Sequence, residues 1–130
     1  MKPISKLKKE LDKWFSLFIR LRRSNINGTA FCYTCNALKH FSNLQCGHFQ
    51  SRRFLNTRWN EQNCEAQCVK CNMFDQGQQW IFGKKLGSEL AQHLQDEARK
   101  TVKISRFEYL EKIVYYKNIV KKLKKEVATD

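Results

Sequence analysis

Two cysteine pairs, Cys32-Tyr-Thr-Cys35 and Cys68-Val-Lys-Cys71, constrain this chain more than any other feature. Two residues between the cysteines let both sulfurs of a pair reach one ion about 2.3 Å away, leaving backbone NH groups to stabilise the thiolates. Four such sulfurs close a tetrahedral zinc site, which contributes on the order of 10 kcal/mol or more to folding. The fold must then bring together two points separated by 32 residues. That is longer than a compact zinc ribbon needs, so the intervening segment carries an insertion. Cys46 and Cys64 leave the ligand set open. Cys46-Gly47-His48 can itself ligate metal, and Cys64 and Cys68 can share a helix face. The paired cysteines are the simpler ligands, with Cys46 and Cys64 read as small packing residues.

The chain has 130 residues, which suits one domain with a modest core. Lys and Arg number 25 against 12 Asp and Glu, a net charge of +13. That excess points to a polyanionic partner, nucleic acid before membrane. Residues 1–13 are charged, and no apolar run has signal-peptide or membrane-spanning length. The expected location is the cytoplasm, where the cysteines stay reduced and bind metal instead of forming disulfides.

Residues 4–23 read as an amphipathic helix, with Ile4, Leu7, Leu11, Phe15 and Phe18 at spacings of three and four. Residues 29–35 favour a short strand running into the first cysteine pair. His40-Phe41 and Leu44 to Phe49 suggest a second strand. Residues 60–68 have little apolar content and read as loop with a little helix. A helix is expected from Cys71 to about Gly83, with Trp80 and Trp14 in the core. Gly83 and Gly87 punctuate it, and Ser88 can cap the next helix. Ser105-Arg-Phe-Glu108 is a capping-box pattern opening a long helix. Its apolar side is read as Phe107, Leu110, Ile113, Val114, Ile119, Val120 and Leu123.

The charge is unevenly placed. Residues 1–23 carry +6, residues 99–126 carry +7, and residues 24–98 only +1. A neutral centre between two basic arms suits a working site held against a phosphate backbone. Three segments follow: a basic helical arm over 1–28, a zinc-stapled core over 29–83, and a helical C-terminal region over 84–130.

Within the core lie His48, Asn63 and Asn72. The order Cys-x-x-Cys, His, Asn, Cys-x-x-Cys-Asn resembles the HNH (ββα-metal) nuclease motif in its His-Asn-Asn form, also found in zinc-stapled endonucleases of the endonuclease VII type. Cys46-Gly-His-Phe-Gln-Ser-Arg52, Thr57-Arg-Trp-Asn-Glu-Gln-Asn63, Ala66-Gln-Cys-Val-Lys-Cys-Asn72 and the stretch Gly77 to Gly87 resemble the phage NinG/Rap recombination endonucleases. The resemblance covers about residues 30–123. It implies an α+β fold: a small ββα-metal core flanked by basic helices. It further implies an endonuclease acting on branched DNA, Holliday junctions and D-loops, during phage recombination.

The implied roles attach to matching positions. His48 is the general base, Asn63 fixes the loop that orients it, and Asn72 ligates a catalytic Mg²⁺ or Mn²⁺. Zinc on Cys32, Cys35, Cys68 and Cys71 is structural. Arg52, Arg53, Arg58 and Lys70 are candidate DNA contacts, and each of the three guanidiniums can fork two phosphate oxygens. Arg58 is also a candidate for stabilising transition-state charge. One departure matters: many HNH sites place an acidic residue just before the histidine, and here Gly47 stands there. Glu61, Glu65, Asp75 and Gln76 are candidate supplementary metal ligands, although Glu65 and Asp75, each taken singly, read as ordinary surface carboxylates. Two symmetric nicks need two sites, so a homodimer through the terminal helices is expected. The rival readings are a non-catalytic zinc module that binds DNA, and an HNH nickase without junction preference.

Overall fold

The computed structural model describes residues 1–127. The chain is an α+β fold with two small antiparallel sheets and a mostly helical remainder. Helix α1 (Ile4–Leu21) buries Leu7, Leu11, Phe15 and Ile19, one residue per turn along a single stripe. Strands β1 (Thr29–Phe31) and β2 (Leu38–His40) form a hairpin around the first cysteine pair. Strand β3 (Leu44–His48) pairs with β4 (Cys64–Cys68), in a register that sets His48 opposite Cys64 and Leu44 opposite Cys68. The connection between them holds the short helix α2 (Leu55–Arg58) and a 3₁₀ turn at Glu61–Asn63.

β4 lies where loop was expected. Cys64-Glu-Ala-Gln-Cys68 lacks β-branched and aromatic residues, but all five positions are buried. Tertiary packing overrides a weak local preference there.

The helix expected from Cys71 to Gly83 is broken. A π-helical turn at Lys70–Phe74 gives way to a 3₁₀ turn at Gln76–Gln78, then to α3 (Gln79–Leu86). Gln76, Gly77 and Gln78 have φ of 54°, 74° and 49°, left-handed values that interrupt any right-handed helix. Gly83 lies inside α3 and punctuates nothing. Trp80 is 74% exposed and not in the core, whereas Trp14 packs against two buried clusters, one around Phe15 and one of Leu21, Phe41 and Val120. Helix α4 (Ser88–Ala98) starts without a side-chain cap, so Ser88 does not play the expected role.

Helix α5 (Arg106–Glu126) opens with the expected capping box of Ser105 and Glu108. Its buried face is Tyr109, Ile113, Tyr116 and Val120. Phe107, Leu110 and Val114, read as core, are exposed. The two tyrosines supply the apolar bodies that the aliphatic count had assigned elsewhere.

The basic arms are not separate. α1 packs directly on α5: Phe15 meets Tyr116 edge to face at 5.1 Å, and Arg106 donates to the Lys2 carbonyl. Their shared core also takes in Trp59 and Cys64, which ties the helical pair to β4. A second cluster of Ala30, Cys32, Leu44, Ala66, Cys68 and Cys71 surrounds the cysteine pairs.

Candidate functional site

The hairpin turn of β1 and β2, the end of β4 and the π-helical turn after it deliver the four paired cysteines to one point. The sulfurs of Cys32, Cys35, Cys68 and Cys71 all lie within 4.8 Å of one another. A tetrahedron with metal–sulfur bonds of about 2.3 Å has edges of about 3.8 Å. The Cys35–Cys68 sulfur separation is 3.7 Å. The Cys71 backbone NH points to the Cys68 sulfur at 3.5 Å, the expected thiolate-stabilising contact. This cluster can hold a structural zinc, and Cys46 and Cys64 are not part of it.

His48 ends β3. Its Nε2 lies 2.9 Å from the Arg58 carbonyl oxygen. A carbonyl only accepts, so Nε2 carries the proton and Nδ1 holds the lone pair. Burial pushes the imidazole pKa below its ordinary value. The neutral ring is therefore the dominant form near pH 7.

The loop that supplies the Arg58 carbonyl is pinned twice. Asn63, fully buried, accepts from Gln50 NH at 2.7 Å and donates to the carbonyls of Gln50 at 3.1 Å and Thr57 at 3.0 Å. Asp12 on α1 holds the other side. Its carboxylate accepts from Arg58 at 2.6 and 3.2 Å, from Arg52 at 2.8 Å and from Trp59 Nε1 at 3.0 Å. Burial pushes the Asp12 carboxyl up, but the two guanidiniums outweigh it and hold it below its ordinary value.

His48 and Asn72 line the same cleft, two adjoining hollows of about 400 and 470 Å³ that also share Cys46 and Arg52. Asn72 donates through Nδ2 to Gln45 Oε1 at 2.8 Å, leaving its own oxygen available as a ligand. Lys9 and Lys13 complete one wall. The first helix, read as an arm, is thus part of the cleft itself.

The other expected residues divide. Arg52 lines the cleft, and Arg53 is exposed with its guanidinium over Phe54. Arg58 has its guanidinium engaged by Asp12 and stacked on Trp59, so its carbonyl is what it presents to His48. Lys70 is exposed and pairs with Asp75. Of the four substitute metal ligands, only Gln76 lines the cleft. Glu61 accepts from the Tyr116 hydroxyl, and Glu65 pairs with Arg22 and Arg23.

Gly47 has a structural cause. A Cβ there would fall 2.0 Å from Gln67 Oε1. Gln67 is fully buried and donates to Thr34 Oγ1 at 3.0 Å and the Gly77 carbonyl at 2.8 Å. It ties the first cysteine turn to the segment that walls the cleft, and no acidic side chain fits beside it. Asp12 and Gln67 are the positioning residues that sequence reasoning missed. For Asp12 the available signal was one of only two acids on a helix otherwise rich in lysine.

The family model described as Bacteriophage Lambda NinG protein matches residues 1–126, and the chain belongs to that family. No curated protein and no solved structure matches the chain significantly. No helix among the described residues is long and apolar enough to cross a membrane.

Proposed function

We propose that this NinG-family chain is a metal-dependent DNA endonuclease of the HNH class that cuts branched DNA during phage recombination. The observation that carries the reading is the held imidazole: Nε2 fixed by the Arg58 carbonyl at 2.9 Å in a cleft that also contains Asn72. That leaves Nδ1 to accept a proton from water as it attacks a phosphodiester, giving 5′-phosphate and 3′-hydroxyl ends. Asn63 keeps the loop, and so the ring, in place. Arg52, Lys9 and Lys13 draw the phosphate backbone into the cleft. The antiparallel β3–β4 pair followed by a helical turn bearing Asn72 supports the ββα assignment.

Asn72 and Gln76 offer amide oxygens for a hard divalent ion, and Asp12, the carboxylate on the cleft, is taken by two arginines. Mg²⁺ or Mn²⁺ would therefore be held jointly with DNA phosphate and water, and when bound it supplies charge neutralisation at the phosphate. The exposed stripe of Phe107, Leu110 and Val114 on α5 supports a homodimer, which would place two sites on one junction. Among the described residues the one carboxylate lining the cleft, Asp12, is engaged by two arginines, which favours, as a second reading, a zinc module that binds DNA without cutting it.

The test is His48→Ala on a labelled four-way junction and on linear duplex with Mg²⁺. Cleavage falls about 10²- to 10⁴-fold while the fold and the zinc of the four-cysteine cluster are kept. A folded, zinc-loaded variant that cuts at the wild-type rate removes His48 as base. Equal cutting of junction and duplex by the wild type removes the branched substrate.

A further inference from the structure

Cys46, His48 and Cys64 form a second cluster of metal-binding groups that the structural zinc does not use. The β3–β4 register explains it. His48 lies directly opposite Cys64, and Cys46 opposite Ala66. Opposed residues of an antiparallel pair share a face, and so do residues two apart on one strand. All three side chains therefore emerge on the same face, and their ligand atoms lie within 4.8 Å of one another. Cys64 and Cys68 are four residues apart on one strand, roughly 13 Å, so one ion cannot use both clusters.

We infer that Cys46, His48 and Cys64 form a second, open zinc site, and that zinc bound there switches the cleft off. Two thiols and one imidazole are soft and borderline donors, suited to Zn²⁺ and not to Mg²⁺. Three protein ligands leave a fourth position, and Cys46 and His48 both border the cleft, so ion and water have a route in. Cys64 is fully buried and anchors the site from behind. Binding converts two thiols to thiolates and releases two protons. With one ligand fewer than the Cys₄ cluster and an open side, this site holds zinc more weakly.

The consequence for cleavage rests on the reading of His48 as base; the site itself does not. Coordination through Nδ1 takes the lone pair that would accept the proton. Coordination through Nε2 breaks the bond to Arg58 that orients the ring. Either way the imidazole leaves proton transfer.

The competing explanation is that the two thiols only pack, since Cys64 and Cys46 also touch the apolar cluster around Phe15 and Trp59. Metal counting separates the two. The full chain, equilibrated with excess Zn²⁺ and passed through a desalting column, is expected to retain two equivalents, and Cys46→Ser one. Co²⁺ in place of zinc is expected to give a second set of thiolate charge-transfer bands, absent in Cys46→Ser. One equivalent in the wild type at saturation overturns the site, as do two equivalents in Cys46→Ser. Cys64→Ala repeats the test from the buried side, and Cys46→Ser carries it alone if that variant does not fold. In cleavage assays, excess zinc is expected to slow the wild type at least ten-fold and Cys46→Ser not at all. Two bound equivalents with undiminished cleavage overturn the inhibition. If neither protein cuts DNA, the endonuclease reading fails while the metal count still decides the site.

Discussion

The Arg58 carbonyl oxygen and His48 Nε2 lie 2.9 Å apart, and that contact fixes which nitrogen of the ring can do chemistry. The carbonyl is itself placed by two buried anchors, Asn63 beneath the loop and Asp12 on the first helix. A backbone atom, not a side chain, is thus the partner of the proposed base.

The pH dependence follows. Burial lowers the His48 pKa, so the unprotonated ring persists below the ordinary value of about 6.5. Cleavage is expected to stay on its plateau down to that pH and to fall only on its acid side. For stability the sign is the same. Below the ordinary value the unfolded chain takes up a proton that the folded chain refuses, so stability declines until the folded pKa is passed and then levels off. A single-turnover pH–rate profile with an acid midpoint above 6.5 contradicts this.

Asp12→Asn tests the anchor on α1. The Asp12–Arg58 pair is mostly buried, with side-chain exposures of 22% and 17%, so its loss costs about 1–3 kcal/mol. Cleavage is expected to fall at least ten-fold with His48 untouched, and the acid midpoint to shift, because the ring loses its fixed partner. Denaturant melts and the pH profile of the variant provide the check. A variant as stable as wild type with an unchanged profile shows that Asp12 positions nothing.

Gly47→Asp places an acidic residue directly before His48. Here it is expected to destabilise the chain by about 1–3 kcal/mol or more, because the new Cβ meets a Gln67 side chain that is hydrogen-bonded at its far end. Thermal denaturation measures this. A Gly47→Asp protein that melts with wild type shows that Gln67 yields freely.

Removing the structural zinc, by a strong chelator or by Cys68→Ser, is expected to unfold the β1–β2 and β3–β4 pairs. The loss is on the order of 10 kcal/mol for a closed thiolate site. Circular dichroism and metal content followed together give the answer. Native strand signal in a zinc-free chain means that the cysteine cluster is only packing.

Local signals carried much of this fold. The Cys-x-x-Cys pairs announce the four-cysteine cluster, Ser105 and Glu108 announce the start of α5, and the stripe from Leu7 to Ile19 announces α1. What stayed hidden depends on partners distant in sequence. β4 is a strand because it is buried, not because Glu65, Ala66 or Gln67 prefer strands. The break at Gln76–Gln78 places two glutamines in a conformation that their side chains do not advertise. Apolar residues line both faces of α5, so periodicity alone could not say that Tyr109 and Tyr116 face inward while Phe107 and Val114 face out. At the site, His48, Asn63 and Asn72 were visible by motif. Asp12 was not, because its partners lie 40 and 46 residues away.

Strand β4 has a last consequence. Cys68 at its end belongs to the four-cysteine cluster that can hold zinc, while Cys64 at its start stands opposite His48. The spacing between ion and imidazole is therefore set by a ladder of backbone bonds, not by the chemistry of the ligands. Exchange of one cysteine in the cluster for histidine would alter how tightly the ion is held without displacing the ring. Drift in the metal site is geometrically silent at the cleft, provided some ion keeps the strand in place.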